Sequence, residues 1–279
     1  MKILIIGASS YVGARIYFDL YREFDVIGTY NSSQLSKSFI KLDITDKIDV
    51  ETVLKREKPD YVIDVAASAN SRWCESNQNE AVLLNEKSTQ YIVHAANKIN
   101  SKIIYISSFV AFNPDNIYGK TKYNSEQIVK KTKSAWVILR PSLILGFSPN
   151  TKNDRPFNRL LKNLDEGTPA EYDTSWKFQP TYLGHLSEVI REVIKKDITN
   201  QLIPVAVEEL KSRFDTANDI LSPFNIEVTP IDGQDKIHFS EKKDLSKLTE
   251  LNLPTYEYKQ MIGKIVDEIK NRQEFSIDF

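Results

Sequence analysis

Cysteine is nearly absent from this sequence: Cys74 is the only one in 279 residues. Neither an internal disulfide nor a cysteine-based metal cluster can be built from it, which fits a reducing compartment. No apolar run approaches the ~20 residues needed to cross a bilayer. Met1 and Lys2 lead into Ile3-Leu4-Ile5-Ile6, and Gly7 follows too soon for the hydrophobic core of a signal peptide. A surplus of either charge is missing too, since 37 Lys and Arg face 38 Asp and Glu for a net charge of −1. That balance recruits neither nucleic acid nor an anionic membrane. His94, His185 and His238 are scattered, and the acidic residues show no metal-ligand spacing, so no metal is expected. There is no internal repeat and no low-complexity segment. With 41% hydrophobic and 27% charged residues, the composition is that of a soluble, here cytoplasmic, globular protein.

What is present is a strict alternation in the first half. Ile3-Leu4-Ile5-Ile6 reads as a strand buried on both faces, followed by a helix with Val12, Ile16 and Leu20 on one side. Val26 to Tyr30 reads as a second strand, Ile40 to Asp43 as a third, and a charged helix covers about 50–58, stopped by Pro59-Asp60. The spacing then predicts a strand at 61–65, a long helix over 78–98, a strand at 102–107, a helix at 118–131 and a strand at 136–139. Strand and helix alternating over short connections imply parallel strands with right-handed crossovers. The fold class is therefore α/β: a Rossmann-type doubly wound parallel sheet with a smaller C-terminal substrate-binding lobe. Residues 1–146, with 179–200 returning, would form the NAD(P)-binding domain. Residues 147–178, rich in proline and polar residues, read as loop and short helix, and 201–279 would complete the smaller lobe.

Gly7-Ala8-Ser9-Ser10-Tyr11-Val12-Gly13 sits between the first strand and its helix. Such a turn needs residues without Cβ clashes, and a helix N-terminus offers unpaired N–H groups to a pyrophosphate. Ser10 replaces the usual middle glycine, and its hydroxyl can itself reach phosphate. The second strand ends Thr29-Tyr30-Asn31-Ser32-Ser33 without the acid that would hold a ribose 2′-hydroxyl. Asn31 and Ser32 there tolerate a 2′-phosphate, with Lys37 nearby, so NADP is preferred and NAD is the alternative. Asp43 can accept from the adenine amino group or can cap the next helix.

Tyr118 and Lys122 stand four residues apart, on one face of a helix. A tyrosine near its free pKa of ~10 is a sluggish acid at neutral pH. The expectation is that the Lys122 ammonium stabilises the phenolate. Ser108, at the end of the preceding strand, is placed to hydrogen-bond a substrate carbonyl.

On these residues the sequence resembles the extended short-chain dehydrogenase/reductases, and among them the dTDP-4-dehydrorhamnose reductases. The glycine turn carries the likeness, with Leu42-Asp43-Ile44-Thr45-Asp46, Pro59 to Ala67 and Cys74-Glu75. Asn85, Ile106-Ser107-Ser108, Tyr118 to Lys122, Leu139-Arg140-Pro141-Ser142 and Gln179-Pro180-Thr181-Tyr182-Leu183 continue it across about residues 1–195. The resemblance implies Ser108, Tyr118 and Lys122 as the catalytic set. It puts Ile44, Ala66, Ala67, Asn85 and Pro141 beside the cofactor, although Asn85 is also readable as an internally bonded polar residue. Ser107, Phe109 and Ser142 would border the substrate. Trp73 and Trp176 would flank a sugar or base, or serve as packing. The implied partner is a nucleotide-linked 4-keto-6-deoxy sugar, and a homodimer is compatible with the chain.

Three departures stand out. Phe109 follows Ser108 where the rhamnose reductases have aspartate, only nine residues separate Ser108 from Tyr118, and His185 replaces another aspartate. The glutamate-bound magnesium of parts of that family cannot be placed on this sequence. The competing readings are a sugar-nucleotide epimerase or dehydratase, weakened by Phe109-Val110, and a non-catalytic NADP-binding regulatory subunit.

Overall fold

Ile3 and Ile5 point to one face of a sheet and Leu4 and Ile6 to the other, and all four are buried in core clusters. This is why the run is apolar without a break. In the computed structural model, which describes residues 1–233 and 241–275, it forms β1 (Lys2–Ile6). Helix α1 (Tyr11–Leu20), β2 (Asp25–Tyr30), β3 (Ile40–Lys41), α2 (Lys47–Glu57) and β4 (Tyr61–Asp64) follow. Short helices α3 (Ser71–Ser76) and α4 (Gln78–Val82) lead into α5 (Ser88–Ile99), then β5 (Lys102–Ile106), α6 (Ile117–Val129) and β6 (Trp136–Pro141). Beyond them lie β7 (Ile144–Leu145), α7 (Pro156–Glu166), β8 (Ala170–Asp173), β9 (Lys177–Phe178), β10 (Thr181–Tyr182) and α8 (Leu183–Lys195). The chain ends with β11 (Gln201–Val205), β12 (Lys211–Ser212), α9 (Arg213–Leu221), β13 (Val228–Ile231), α10 (Ser246–Glu250) and α11 (Tyr258–Lys270).

Seven strands make one parallel sheet in the order β3-β2-β1-β4-β5-β6-β11. The order reverses between β1 and β4, and ligands of such sheets bind in the crevice beyond the carboxyl ends there. Ile16 and Leu20 of α1 with Leu186 and Ile190 of α8 cover one face. Val50 and Leu54 of α2 with Ile92 and Ala96 of α5 cover the other. A third cluster gathers Phe157 and Leu161 of α7, Ile220 of α9, and Met261 and Ile265 of α11. The β8–β13 pairing ties its chain segments together.

Several expectations change. The helix expected over 78–98 is interrupted at Leu83–Lys87 by a π-helical segment, which widens the turn where Asn85 is buried. Residues 147–178 hold more than a short helix. Pro156 at the first position and Gly167 at φ 62° bound the 11-residue α7. Assignment of all of 201–279 to the smaller lobe fails at its start, because Gln201–Val205 pairs with Val137–Pro141 as the edge of the main sheet. The charged helix starts earlier than expected, at Lys47, capped by Asp46. Among the described residues no helix is long and apolar enough to cross a membrane, and no group of three acidic, His or Cys side chains can hold a metal. His238 lies outside the described residues.

Candidate active site

The turn after β1 is built by steric exclusion. Gly7 has φ +85°, and a Cβ there would meet Ala66 at 3.1 Å. A Cβ on Gly13 would sit 2.2 Å from the Gly7 carbonyl oxygen, so only glycine lets α1 approach this closely. The Gly13 N–H donates to Ser10 Oγ at 3.0 Å, making Ser10 the N-cap of α1. Ser9 Oγ accepts from the Leu35 N–H at 3.2 Å, which holds the loop after β2 against the turn.

Beyond the strand ends lies a cleft of about 220 Å3. Ser10, Tyr11, Val12 and Ala67 line it from the turn, and Ser107, Ser108, Tyr118 and Lys122 from the β5 end and α6. Pro141, at the end of β6, and Ser142 after it close the cleft. A second cavity of about 310 Å3 adjoins it, sharing Ala69, Tyr118 and Ser142. Phe109 and Trp176 line this one. Trp176 stacks on Phe178 with ring centres 4.7 Å apart, under the Arg213 guanidinium at 5.0 Å, and its buried Nε1 has no hydrogen-bond partner among the described residues. Tyr118 therefore faces both compartments.

The electrostatics differ from expectation. Lys122 Nζ donates to Ile106 O at 2.8 Å and to Tyr105 Oη at 3.2 Å. Burial holds this ammonium down to about 8, against the attraction of Asp64 and Glu126. Burial likewise lifts Asp64 to about 6, opposed by Lys122 and the Ala66 N–H. The Tyr118 hydroxyl is pushed up to about 12 by burial, opposed by a hydrogen bond with Ser108 and by the Arg155 charge. Lys122 does not lower it, because its ammonium is turned back against β5.

The remaining expected residues divide. Ala66 packs under Gly7, and Asn31 and Ser32 are exposed at the end of β2. Asp43 does not cap α2; its Oδ1 accepts from Thr45 N and Oγ1 at 2.9 and 2.6 Å. Ile44 is a core side chain, 5% exposed, so it offers a cofactor no side-chain surface. Asn85 binds Ser68 through both ends of its amide and reaches Thr121, fixing the segment after β4 from behind. Trp73, half-buried on α3, lines neither cavity. The Ser107 hydroxyl is committed to Glu126 Oε1 at 2.5 Å, so it is not free for substrate. His185 is buried against Pro254 O, and burial pulls it down to about 4.

Sequence reasoning missed Arg155 in the first cavity and Phe112, Arg213 and Lys243 in the second. These lie outside every recognisable motif. Arg155 alone leaves a local signal, since it stands before a helix-starting proline where a capping residue belongs.

Comparison with known proteins adds a family. The RmlD substrate binding domain family matches residues 1–267. The chain belongs to this family. A dTDP-4-dehydrorhamnose reductase of Aggregatibacter actinomycetemcomitans is 27% identical over 221 residues, 74% of this chain and 71% of that protein. Methionine adenosyltransferase 2 subunit beta of Danio rerio is 22% identical over 245 residues, 81% of this chain and 74% of that one. The crystal structure of a dTDP-4-dehydrorhamnose reductase from Bacillus anthracis in complex with NADP superposes with a TM-score of 0.81 at 21% identity. It covers 96% of this chain and 99% of that chain. The RmlD-type fold, with its seven-stranded parallel sheet, is thus shared along nearly the whole length.

Proposed function

We propose that the protein is an NADPH-dependent reductase of a nucleotide-linked 4-keto-6-deoxy sugar, with Tyr118 as proton donor. One observation carries this reading: Ser108, Tyr118 and Lys122 meet the start of α1 in one cleft, and Tyr118 is shared with the aromatic second cavity. The residues present fit the cofactor. The Gly7–Gly13 turn would take its pyrophosphate at the start of α1, where the first N–H groups lack intrahelical acceptors and only that of Gly13 is capped by Ser10. Ala66, Ala67, Pro141 and Lys122 would border its nicotinamide half. Asn31 and Ser32, exposed and without an acid beside them, suit a 2′-phosphate and favour NADPH over NADH. NADPH supplies the hydride that reduces the ketone carbon.

The chain's own part is proton delivery and placement. Tyr118 Oη gives its proton to the ketone oxygen as negative charge develops there. At about 12 the phenol stays protonated through neutral pH, which suits a donor, and Ser108 hydrogen-bonds to it and to the carbonyl. Trp176, half-buried in the lining of the second cavity, can pack its indole against a base or sugar. The relatives named dTDP-4-dehydrorhamnose reductase support this substrate class. The single buried cysteine supports a cytoplasmic setting, with a nucleotide sugar and not nucleic acid as partner.

The test is NADPH oxidation against a panel of nucleotide-linked 4-keto sugars. Tyr118→Phe is expected to lower kcat by ~10²- to 10⁴-fold and to leave NADPH affinity nearly unchanged. Turnover that survives the substitution overturns the mechanism. Tight NADPH binding with no turnover on any sugar favours a second reading, a cofactor-binding regulatory subunit. Similarity to a protein named as a subunit and Phe109 beside Ser108 support that alternative.

A further inference from the structure

Among the described residues two cations line the first cleft, Lys122 and Arg155, and no carboxylate does. Lys122 is engaged by Ile106 O and Tyr105 Oη. Arg155 forms no ion pair and donates no hydrogen bond to any described residue. Its neighbour Asp154 is already taken, bidentately, by Arg159 at 2.6 and 2.7 Å.

The helix does not explain this arginine. Arg155 is the N-cap of α7, just ahead of Pro156, and its side chain makes no capping bond. Serine, threonine, asparagine or aspartate would satisfy a free N–H there, and a cation at the positive end of a helix dipole is disfavoured. A residue that breaks the local rule without compensation points to a role outside the helix.

The backbone that carries Arg155 is sewn to the cofactor turn. Asn150 Nδ2 donates to Ser9 O at 2.6 Å, and Ser148 Oγ to Tyr11 O at 2.6 Å. Arg15 donates to Phe147 O at 2.8 Å. Asn158, in the first turn of α7, donates to Asn150 O and Asn153 O at 3.2 and 2.8 Å. Arg155 thus holds a set place relative to the start of α1, and its charge reaches the hydroxyls of both Tyr11 and Tyr118. A guanidinium presents a planar fork of donors that matches two phosphoryl oxygens.

We propose that Arg155 is a phosphoryl-binding residue of the cleft that it lines together with the turn at the start of α1. The inference rests on the functional reading only in taking the cleft as a nucleotide site. The phosphoryl group has two sources of the same chemistry, the pyrophosphate of the dinucleotide and the diphosphate of the nucleotide sugar.

Equilibrium binding of NADPH and of dTDP, each alone, to the full chain and to its Arg155→Gln and Arg155→Lys variants separates the outcomes. The expected result is a loss of about tenfold or more in affinity for one nucleotide in Arg155→Gln, with part restored in Arg155→Lys. Thymidine or adenosine, which lack phosphoryl groups, should bind wild type and variant alike. The nucleotide that weakens names the source. Unchanged affinity for both nucleotides in Arg155→Gln overturns the inference and leaves the reductase reading standing if wild type turns over. Wild-type protein that binds neither nucleotide overturns both. Binding that weakens in the variant while no sugar is reduced sinks the reductase reading alone. Arg155 makes no capping bond, so Arg155→Gln should keep the wild-type unfolding midpoint, and Arg155→Lys serves as the second folded variant.

Discussion

On the sheet side of the cleft the buried charges are engaged. Lys122 is held by Ile106 O and Tyr105, and Glu126, fully buried, takes the Ser107 hydroxyl and a bidentate pair from Arg140 at 2.8 and 2.6 Å. On the opposite side, neither the Arg155 guanidinium nor the buried Trp176 Nε1 has a hydrogen-bond partner among the described residues. The difference separates two tasks. A donor that must meet a carbonyl in one geometry is built on strands and helices whose side chains are locked. Groups that select a ligand are left with unspent hydrogen-bonding capacity, which the ligand satisfies.

Substitutions on the two sides should therefore differ in kind. The largest effect is expected from Glu126→Ala, which leaves the Arg140 guanidinium, 7% exposed, without its counter-charge. Breaking such a buried pair costs about 3–5 kcal/mol, read as a lower urea midpoint. A loss below ~1 kcal/mol, the range of an exposed pair, would erase the distinction. A smaller effect is expected from Trp176→Ala: KM for the nucleotide sugar rising about tenfold with kcat nearly unchanged, the pattern of lost uniform binding. A fall in kcat of the same size with KM untouched would place Trp176 with the chemistry instead.

The smallest effect concerns the turn that presents Trp176. Asp173 accepts from Ser175 N and Oγ at 3.0 and 2.7 Å, from Trp176 N at 3.2 Å and from Gly233 N at 2.8 Å. Burial alone would raise its pKa, but these bonds outweigh burial and hold it at about 2. A depressed carboxyl pKa stabilises the fold above its unfolded value of ~3.9, and that contribution is lost as pH falls toward 2. Asp173→Asn should therefore cost up to about 1 kcal/mol at neutral pH, allowing for solvent screening. The gap to wild type should close between about pH 4 and pH 2. A gap constant across that range would mean the carboxylate charge contributes nothing.

Much of the sheet side was legible from residue order. The buried run at Ile3–Ile6, the glycines that a Cβ would clash out, and the Tyr118–Lys122 spacing all depend on neighbours within a few positions. Asn85 shows where such reading stops. Its π-helical turn and its bonds to Ser68 and Thr121 join residues 17 and 36 positions away. Strand β11 was assigned to the smaller lobe because Gln201-Leu202-Ile203-Pro204-Val205 comes after the regular alternation has broken, and its proline is tolerated because β11 is the sheet edge.

The order of residues by itself determined the α/β class, the turn that opens α1 and the placing of Tyr118 one helical turn from Lys122, because periodicity and backbone sterics act over short distances. Tertiary structure alone decided which charge meets the tyrosine. Lys122 turns to β5, across 16 positions of chain, while Arg155 comes to the cleft on a segment bound to the cofactor turn from 141 positions away. Such pairings follow from how the layers pack, and burial then outweighs the Ser108 hydrogen bond and the Arg155 charge to hold the Tyr118 proton in place.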